Sequence, residues 1–411
     1  MKCICQVYFC YFLIFDEEST YRRCIFVSFM SILKKFNLLK KYVFRSLKSL
    51  IVIVGITFLL LEIVLAIYIR VQEIKIELPT YTLKNTQNFW FDLNEDFGTL
   101  HLPNDSYQQK KYCFDVVYHS NSKGFRDVER EVNASSKRVV TLGDSFVEGI
   151  GVNVEDRLTN LLEKDLNIPH LNFGLAGNFG PTQYLVMYNT LAKKYTHDAV
   201  LVSILPANDF IDDDYEIGLR FGTNRYRPFL KDTYPNYEFV YHTDSIHKSK
   251  AQPRKQRFLY KVLKNYTYSY NMYRYFRVMR NVRAIPKDEL LAPSKVPSYF
   301  NFSEAQLLRM RYCIEEIKRL AGDRPVMVYT IPIAKEIKAY REHKENPLGE
   351  QLKKVCDAVN VEYLDLLPQT ENFSEEEYEA LFLPCDGHWS EAGNAFAQEQ
   401  ISSYFSYYKN K

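Results

Sequence analysis

Apolar positions follow three different patterns along the chain. From Leu50 to Ile69 they run almost unbroken, on every face of a helix, with Glu62 as the single charge. Further on, short β-branched or apolar runs alternate with stretches of helical period. The runs are Arg138–Leu142, His170–Phe173, Ala199–Leu205, Val326–Ile331 and Val361–Leu366. Between them, Leu158, Leu161 and Leu162, then Thr182 to Lys194, then Leu307, Met310, Ile314 and Ile317, then Leu348, Leu352 and Val355 recur at helical spacing. Continuous apolar strands alternating with amphipathic helices predict an α/β fold, with a parallel five-stranded sheet covered on both faces. Ser303 with Gln306 forms a capping box before one of these helices, Gly322 ends it, and Ser390 is placed to cap the last. The third pattern is a break: from Asp212 to about Phe302 the chain is Tyr-rich, and no acid occurs between Lys248 and Lys287. Lys250, Arg254, Lys255, Arg257, Lys261, Lys264, Arg274, Arg277, Arg280 and Arg283 fall there. Such a run is either a solvated helical face or a surface turned toward anionic lipid or acidic glycan.

The Leu50–Ile69 run is about 20 residues, enough to cross roughly 30 Å of hydrocarbon at 1.5 Å per residue. Lys34, Lys35, Lys40, Lys41, Arg45 and Lys48 precede it, and only Arg70 and Lys75 follow closely. That asymmetry predicts a signal anchor with the N-terminus in the cytoplasm and the bulk of the chain outside, periplasmic in a Gram-negative cell. An intramembrane acid such as Glu62 is a weak hint of a partner helix. Before Met30, apolar patches are cut by Asp16-Glu17-Glu18, which suits neither a signal peptide nor a span, and the reading predicts a start at Met30. The expected division is a cytoplasmic segment 1–48, an anchor 49–70, a polar connector 71–120, and a globular domain 121–408 with an insert at about 212–302.

Composition changes this picture little. With 411 residues and 46% apolar content the chain can bury an ordinary core. A net charge of +3 gives no case for nucleic acid, and the basic insert lies outside the cytoplasm in the predicted topology. The 32 Tyr and 28 Phe suit a strand-rich core or a carbohydrate-facing surface. Of eight cysteines, Cys3, Cys5, Cys10 and Cys24 precede Met30, and Cys113, Cys313, Cys356 and Cys385 follow it. None of the latter has zinc-knuckle or redox CxxC spacing, and no metal or cofactor is expected. Cys313 and Cys356 read as core thiols, and a Cys113–Cys385 disulfide is left open.

Candidate chemistry collects in the loops after the strands. Gly143-Asp144-Ser145 ends the first strand, where a tight turn exposes a hydroxyl. Asp386 and His388 follow the fifth strand; in an extended segment i and i+2 project to the same side, so both address one volume. Ser145 as nucleophile, His388 as base and Asp386 as its orienting acid supply three roles of acyl transfer. For the oxyanion, Gly177 follows the second strand and offers a backbone N–H, and Asn208 follows the third and offers a side-chain amide.

These blocks resemble the SGNH or GDSL hydrolase superfamily over roughly residues 120–405, and Asn121–Asp127 with Asn172–Gln183 are similar to a membrane-anchored bacterial branch. The resemblance implies a flavodoxin-like three-layer α/β/α sandwich, with Ser145, His388 and Asp386 catalytic and the Ser145 N–H, Gly177 and Asn208 as oxyanion donors. Two positions depart from the pattern. Pro206 stands where a glycine usually precedes the third-block Asn, and Asp386 and His388 are two residues apart rather than three, as in branches that resemble alginate-type acetylation proteins. The implied activity is a serine esterase acting on a small acyl ester or an acylated cell-surface glycan or lipid. O-acetyl transfer by the same residues and a non-catalytic glycan-binding or assembly role are the alternatives.

Overall fold

A computed structural model describes residues 17–84, 89–216, 226–241, 258–283 and 298–409. Cys3, Cys5 and Cys10, and Lys250, Arg254, Lys255 and Arg257 of the insert, lie outside the described residues. The chain divides into two compact units, Met1–Ile67 and Tyr68–Lys411.

The described residues of the first unit, from Glu17 on, lie within the long helix Glu17–Val71. The apolar run expected at 49–70 lies inside this helix, because the Lys- and Leu-rich residues before it are strong helix formers too. Its stretch Leu33–Val71 is long and apolar enough to cross a membrane, a property that signal sequences share.

The second unit begins with segments that the sequence reading treated as a polar connector, and there the structure differs. Strand β1 (Trp90–Asn94) pairs antiparallel with β2 (Gly98–His101), and β3 (Ser106–Lys110) pairs with β4 (Asp115–His119). In β4 alternate residues, Val116 and Tyr118, face inward, and in β3 Tyr107 alone is buried, so the mean polarity of each strand conceals it. With Phe89, Phe114, Ile150, Leu383 and Cys385 these side chains form a small core of their own.

The main sheet is built as expected. Its strands are β5 (Val139–Gly143), β6 (His170–Gly174), β7 (Ala199–Ile204), then, beyond the insert hairpin β8 (Pro228–Lys231) and β9 (Glu238–Tyr241), β10 (Val326–Thr330) and β11 (Glu362–Asp365). All five are parallel, in the order β6-β5-β7-β10-β11. Every residue of β5, β6, β7 and β10 is buried, which explains their unbroken apolar runs. Helices flank the sheet in two groups: Leu158–Leu166 against Glu391–Lys409, and Pro181–Thr190 against Glu304–Ala321, which also meets Pro347–Ala358. The Ser303–Gln306 box is present in both directions, and Gly322 closes its helix at φ +64°. Because the strands are parallel, Gly143, Gly174 and Ile204 end at one edge, and the loops that leave it carry the candidate chemistry.

Candidate active site

Ser145 opens a four-residue helix, Ser145–Glu148, immediately after β5. Asp144 makes that turn: its Oδ1 accepts from the Phe146 N–H at 2.9 Å, and Gly149 ends the helix in the left-handed region at φ +82°. Ser145 itself is half-buried, so its hydroxyl meets the surface from a rigid base.

His388 reaches it from the other end of the chain. Its Nε2 lies 2.8 Å from Ser145 Oγ, and its Nδ1 lies 2.6 Å from Asp386 Oδ1. The segment is not extended, contrary to the sequence expectation. Asp386 N and Gly387 N both donate to the Leu383 carbonyl, at 3.1 and 2.8 Å, and Leu383 N donates back to the His388 carbonyl at 2.7 Å. In a strand, i and i+2 sit roughly 7 Å apart. Here Gly387, at φ +88°, folds the backbone into a turn that brings the carboxylate onto the imidazole.

Two further groups hold this turn. Cys385 is disulfide-bonded to Cys113 in the turn between β3 and β4, which closes the pairing that the sequence left open. From the same turn the Lys111 ammonium donates to Asp386 Oδ2, the oxygen that His388 does not use. Burial raises the pKa of Asp386, but the hydrogen bond from His388 and the charges of His388 and Lys111 outweigh it and bring the carboxyl down to about 2. Cys313 and Cys356 are buried free thiols, as read from their helical positions.

The expected oxyanion donors lie in the neighbouring loops. Gly177 follows β6 at φ +104°, and its carbonyl accepts from Thr99 Oγ1 at 3.3 Å. Asn208 sits in the helix Pro206–Asp212, and its Nδ2 donates to Asp144 Oδ2 at 3.4 Å, beside the serine. Pro206, the departure from the family pattern, opens that helix, where its fixed φ and missing N–H cost nothing. Burial pushes the Asp144 carboxyl up to about 6, against the hydrogen bond from Phe146 N.

Glu148, three residues after Ser145, is fully buried and joins three partners. It accepts from Trp90 Nε1 at 2.9 and 3.0 Å and from Ala176 N at 2.5 Å, and it pairs with His101 Nε2 at 3.1 Å. Burial raises its pKa, yet these partners, His101 foremost, hold it below the ordinary range. Ala176 immediately precedes Gly177, so the carboxylate fixes the loop that carries the expected backbone donor. Arg126, from the Asn121–Asp127 stretch, lies against the Tyr118 ring and donates to the carbonyls of Glu148, Gly149 and Val152, fixing the far end of the Ser145–Glu148 helix.

The sequence reading missed Lys111 and Glu148. Glu148 left a trace, since i+3 from Ser145 on a short helix is a neighbouring position. Lys111 left none, because its contact spans 275 residues. Chemically, a serine hydroxyl on an imidazole whose second nitrogen faces an ionised carboxylate is an arrangement able to generate an alkoxide nucleophile. Among the described residues no group of three or more His, Cys, Asp or Glu is placed to hold a metal ion.

No protein-family model and no curated protein matches this chain. Among solved structures it is similar to a lipase/acylhydrolase from Enterococcus faecalis, at 13% identity and a TM-score of 0.35 over 64% of this chain and 93% of that one. It is also similar to a member of the lipolytic protein G-D-S-L family from Veillonella parvula, at 11% identity and a TM-score of 0.34 over 66% and 99% of the two chains. A third is a catalytic mutant of Axe2, an acetylxylan esterase from Geobacillus stearothermophilus, at 12% identity and a TM-score of 0.34 over 66% and 94%.

Proposed function

We propose that this chain is a serine esterase of the SGNH/GDSL type, carried on a membrane by its N-terminal helix. The observation that carries the reading is the unbroken line from Asp386 through His388 to Ser145, at 2.6 and 2.8 Å, assembled from residues 243 apart. Ser145 Oγ attacks an ester carbonyl as its proton passes to His388 Nε2. Asp386 holds the imidazole in the tautomer that can accept it, and the backbone N–H of Ser145 and Gly177 with Asn208 Nδ2 receive the oxyanion. The C–O bond to the alcohol breaks, His388 returns the proton to the leaving oxygen, and an acyl group remains on Ser145. Water then repeats the sequence and releases the acid.

The substrate class is an O-acyl ester on a cell-surface glycan or lipid, because the catalytic unit follows a helix that suits a signal anchor. The cluster of cations before the apolar run supports an extracytoplasmic site, and so does the Cys113–Cys385 disulfide, since such bonds persist in oxidising compartments. The direct test is hydrolysis of p-nitrophenyl acetate by the full chain in detergent beside Ser145→Ala. The substitution is expected to lower kcat at least ~10³-fold. Equal rates would end the claim for this reaction.

A further inference from the structure

The insert contains two adjacent helices, Phe258–Tyr266 and Tyr268–Arg283, without one acidic residue. Their inner side is accounted for. Tyr268, Asn271 and Met272 are buried, and Lys264 is engaged by Tyr107 Oη at 3.1 Å and Glu77 Oε2 at 3.3 Å. The outer side is different. Tyr273, Phe276, Arg277 and Arg280 recur at i, i+3, i+4 and i+7, so they share one exposed helix face. Tyr273 is 57% and Phe276 61% exposed, and at the start of the first helix Phe258 and Leu259 reach 71% and 66%. Among the described residues neither Arg277 nor Arg280 has an ion-pair partner.

These helices are bonded to the chain just beyond the apolar run. Arg70, in the last turn of Glu17–Val71, donates to Tyr268 Oη at 3.1 Å with its guanidinium 5.5 Å from that ring. Tyr81 N donates to the Asn265 carbonyl at 2.9 Å, and Thr80 Oγ1 to Asn265 Oδ1 at 3.2 Å. We infer that the Tyr273–Phe276–Arg277–Arg280 face is a second membrane contact, resting in the headgroup layer of the bilayer that the N-terminal helix enters and binding anionic lipid. The inference rests on the anchor reading above. Aromatic side chains interleaved with arginines on one face suit the boundary between acyl chains and negative headgroups. An acidic glycan would engage the arginines and stack on the rings, and would leave Leu259 bare.

The test uses the full chain reconstituted into vesicles of brominated phosphatidylglycerol or brominated phosphatidylcholine. The chain has two tryptophans, so Phe276→Trp adds one reporter whose emission is read by difference from the parent. Unchanged p-nitrophenyl acetate hydrolysis shows that the variant is folded. We expect the added emission to be quenched at least twofold in brominated phosphatidylglycerol and little in brominated phosphatidylcholine. Adding Arg277→Glu and Arg280→Glu is expected to reduce that quenching at least threefold. Absence of quenching in both lipids, or equal quenching in both, would overturn the inference. So would an emission shift by soluble polygalacturonate without quenching by either lipid, which would assign the face to acidic glycan. Alkaline carbonate extraction reads the anchor separately. Retention in the membrane without quenching removes the second contact and leaves the anchor; release with quenching intact does the reverse.

Discussion

Lys111 gives Asp386 two loyalties. One carboxylate oxygen faces His388 Nδ1 and the other takes the ammonium, so the acid is fixed in plane and kept ionised. Lys111→Met is expected to lower kcat about 10-fold with KM little changed, because the lysine acts only through the acid; Asp386→Asn, which removes the acid itself, is expected to cost up to ~10⁴-fold. Steady-state kinetics on p-nitrophenyl acetate separates the two. The charge also ties stability to pH. With Asp386 at about 2 in the folded chain against an ordinary 3.8, the unfolded state takes up the proton first as pH falls. The carboxylate therefore contributes roughly 2 kcal/mol above pH ~4, and this is lost as pH falls toward 2. Urea unfolding at pH 5 and pH 2.5 should show that loss in the parent and a correspondingly smaller one in Asp386→Asn. Residue types at the site were legible in the sequence because Ser145, Gly177 and Asn208 each follow a strand that announces itself. The conformation of Asp386–His388 was not: the positive φ of Gly387 comes from its turn, and a two-residue spacing is equally compatible with a strand.

At the scale of elements, the β3–β4 hairpin is a support for the Asp386–His388 turn. Its tip supplies both Lys111 and Cys113, and the disulfide to Cys385 closes a loop of sequence separation 272. Chain-entropy estimates for so long a loop reach about 5 kcal/mol. Cys385→Ala, or treatment with dithiothreitol, is expected to lower unfolding stability toward that amount and to lower kcat together with it, as the turn loses its tether. Denaturant titration and activity on the same samples test both effects; full activity in a reduced, folded chain would show that the hairpin holds the turn without the bond. The hairpin was invisible in the sequence for a physical reason. Its inward residues, Tyr107, Val116 and Tyr118, are set among polar ones and pack on residues outside the hairpin, such as Phe89, while Tyr118 Oη accepts from Gly151 N. The main sheet was legible because strands buried on both faces have no polar half.

For the molecule as a whole, Glu148 is where the hairpin layer meets the sheet. Trp90 and His101 belong to the first hairpin, Ala176 to the loop after β6, and all three converge on one buried carboxylate. Glu148→Ala leaves those partners without it and is expected to destabilise the fold by roughly 3 kcal/mol. Calorimetry should then show a lowered transition, and a separate early step if the hairpin layer comes away by itself. Activity should fall as well, since Gly177 loses the anchor beside it. No sequence pattern announced this junction, because an acid in a glycine-rich turn is ordinarily a solvated one.

The line from Lys111 through Asp386 and His388 to Ser145 joins parts of the chain made at very different times during synthesis. Ser145 is synthesised early, and His388, the base of the proposed mechanism, emerges 243 residues later. Contacts so distant in sequence carry a large loop-closure cost and slow folding. On the proposed mechanism a chain halted before His388 lacks its base, and hydrolysis is expected only once nearly the whole polypeptide has been made.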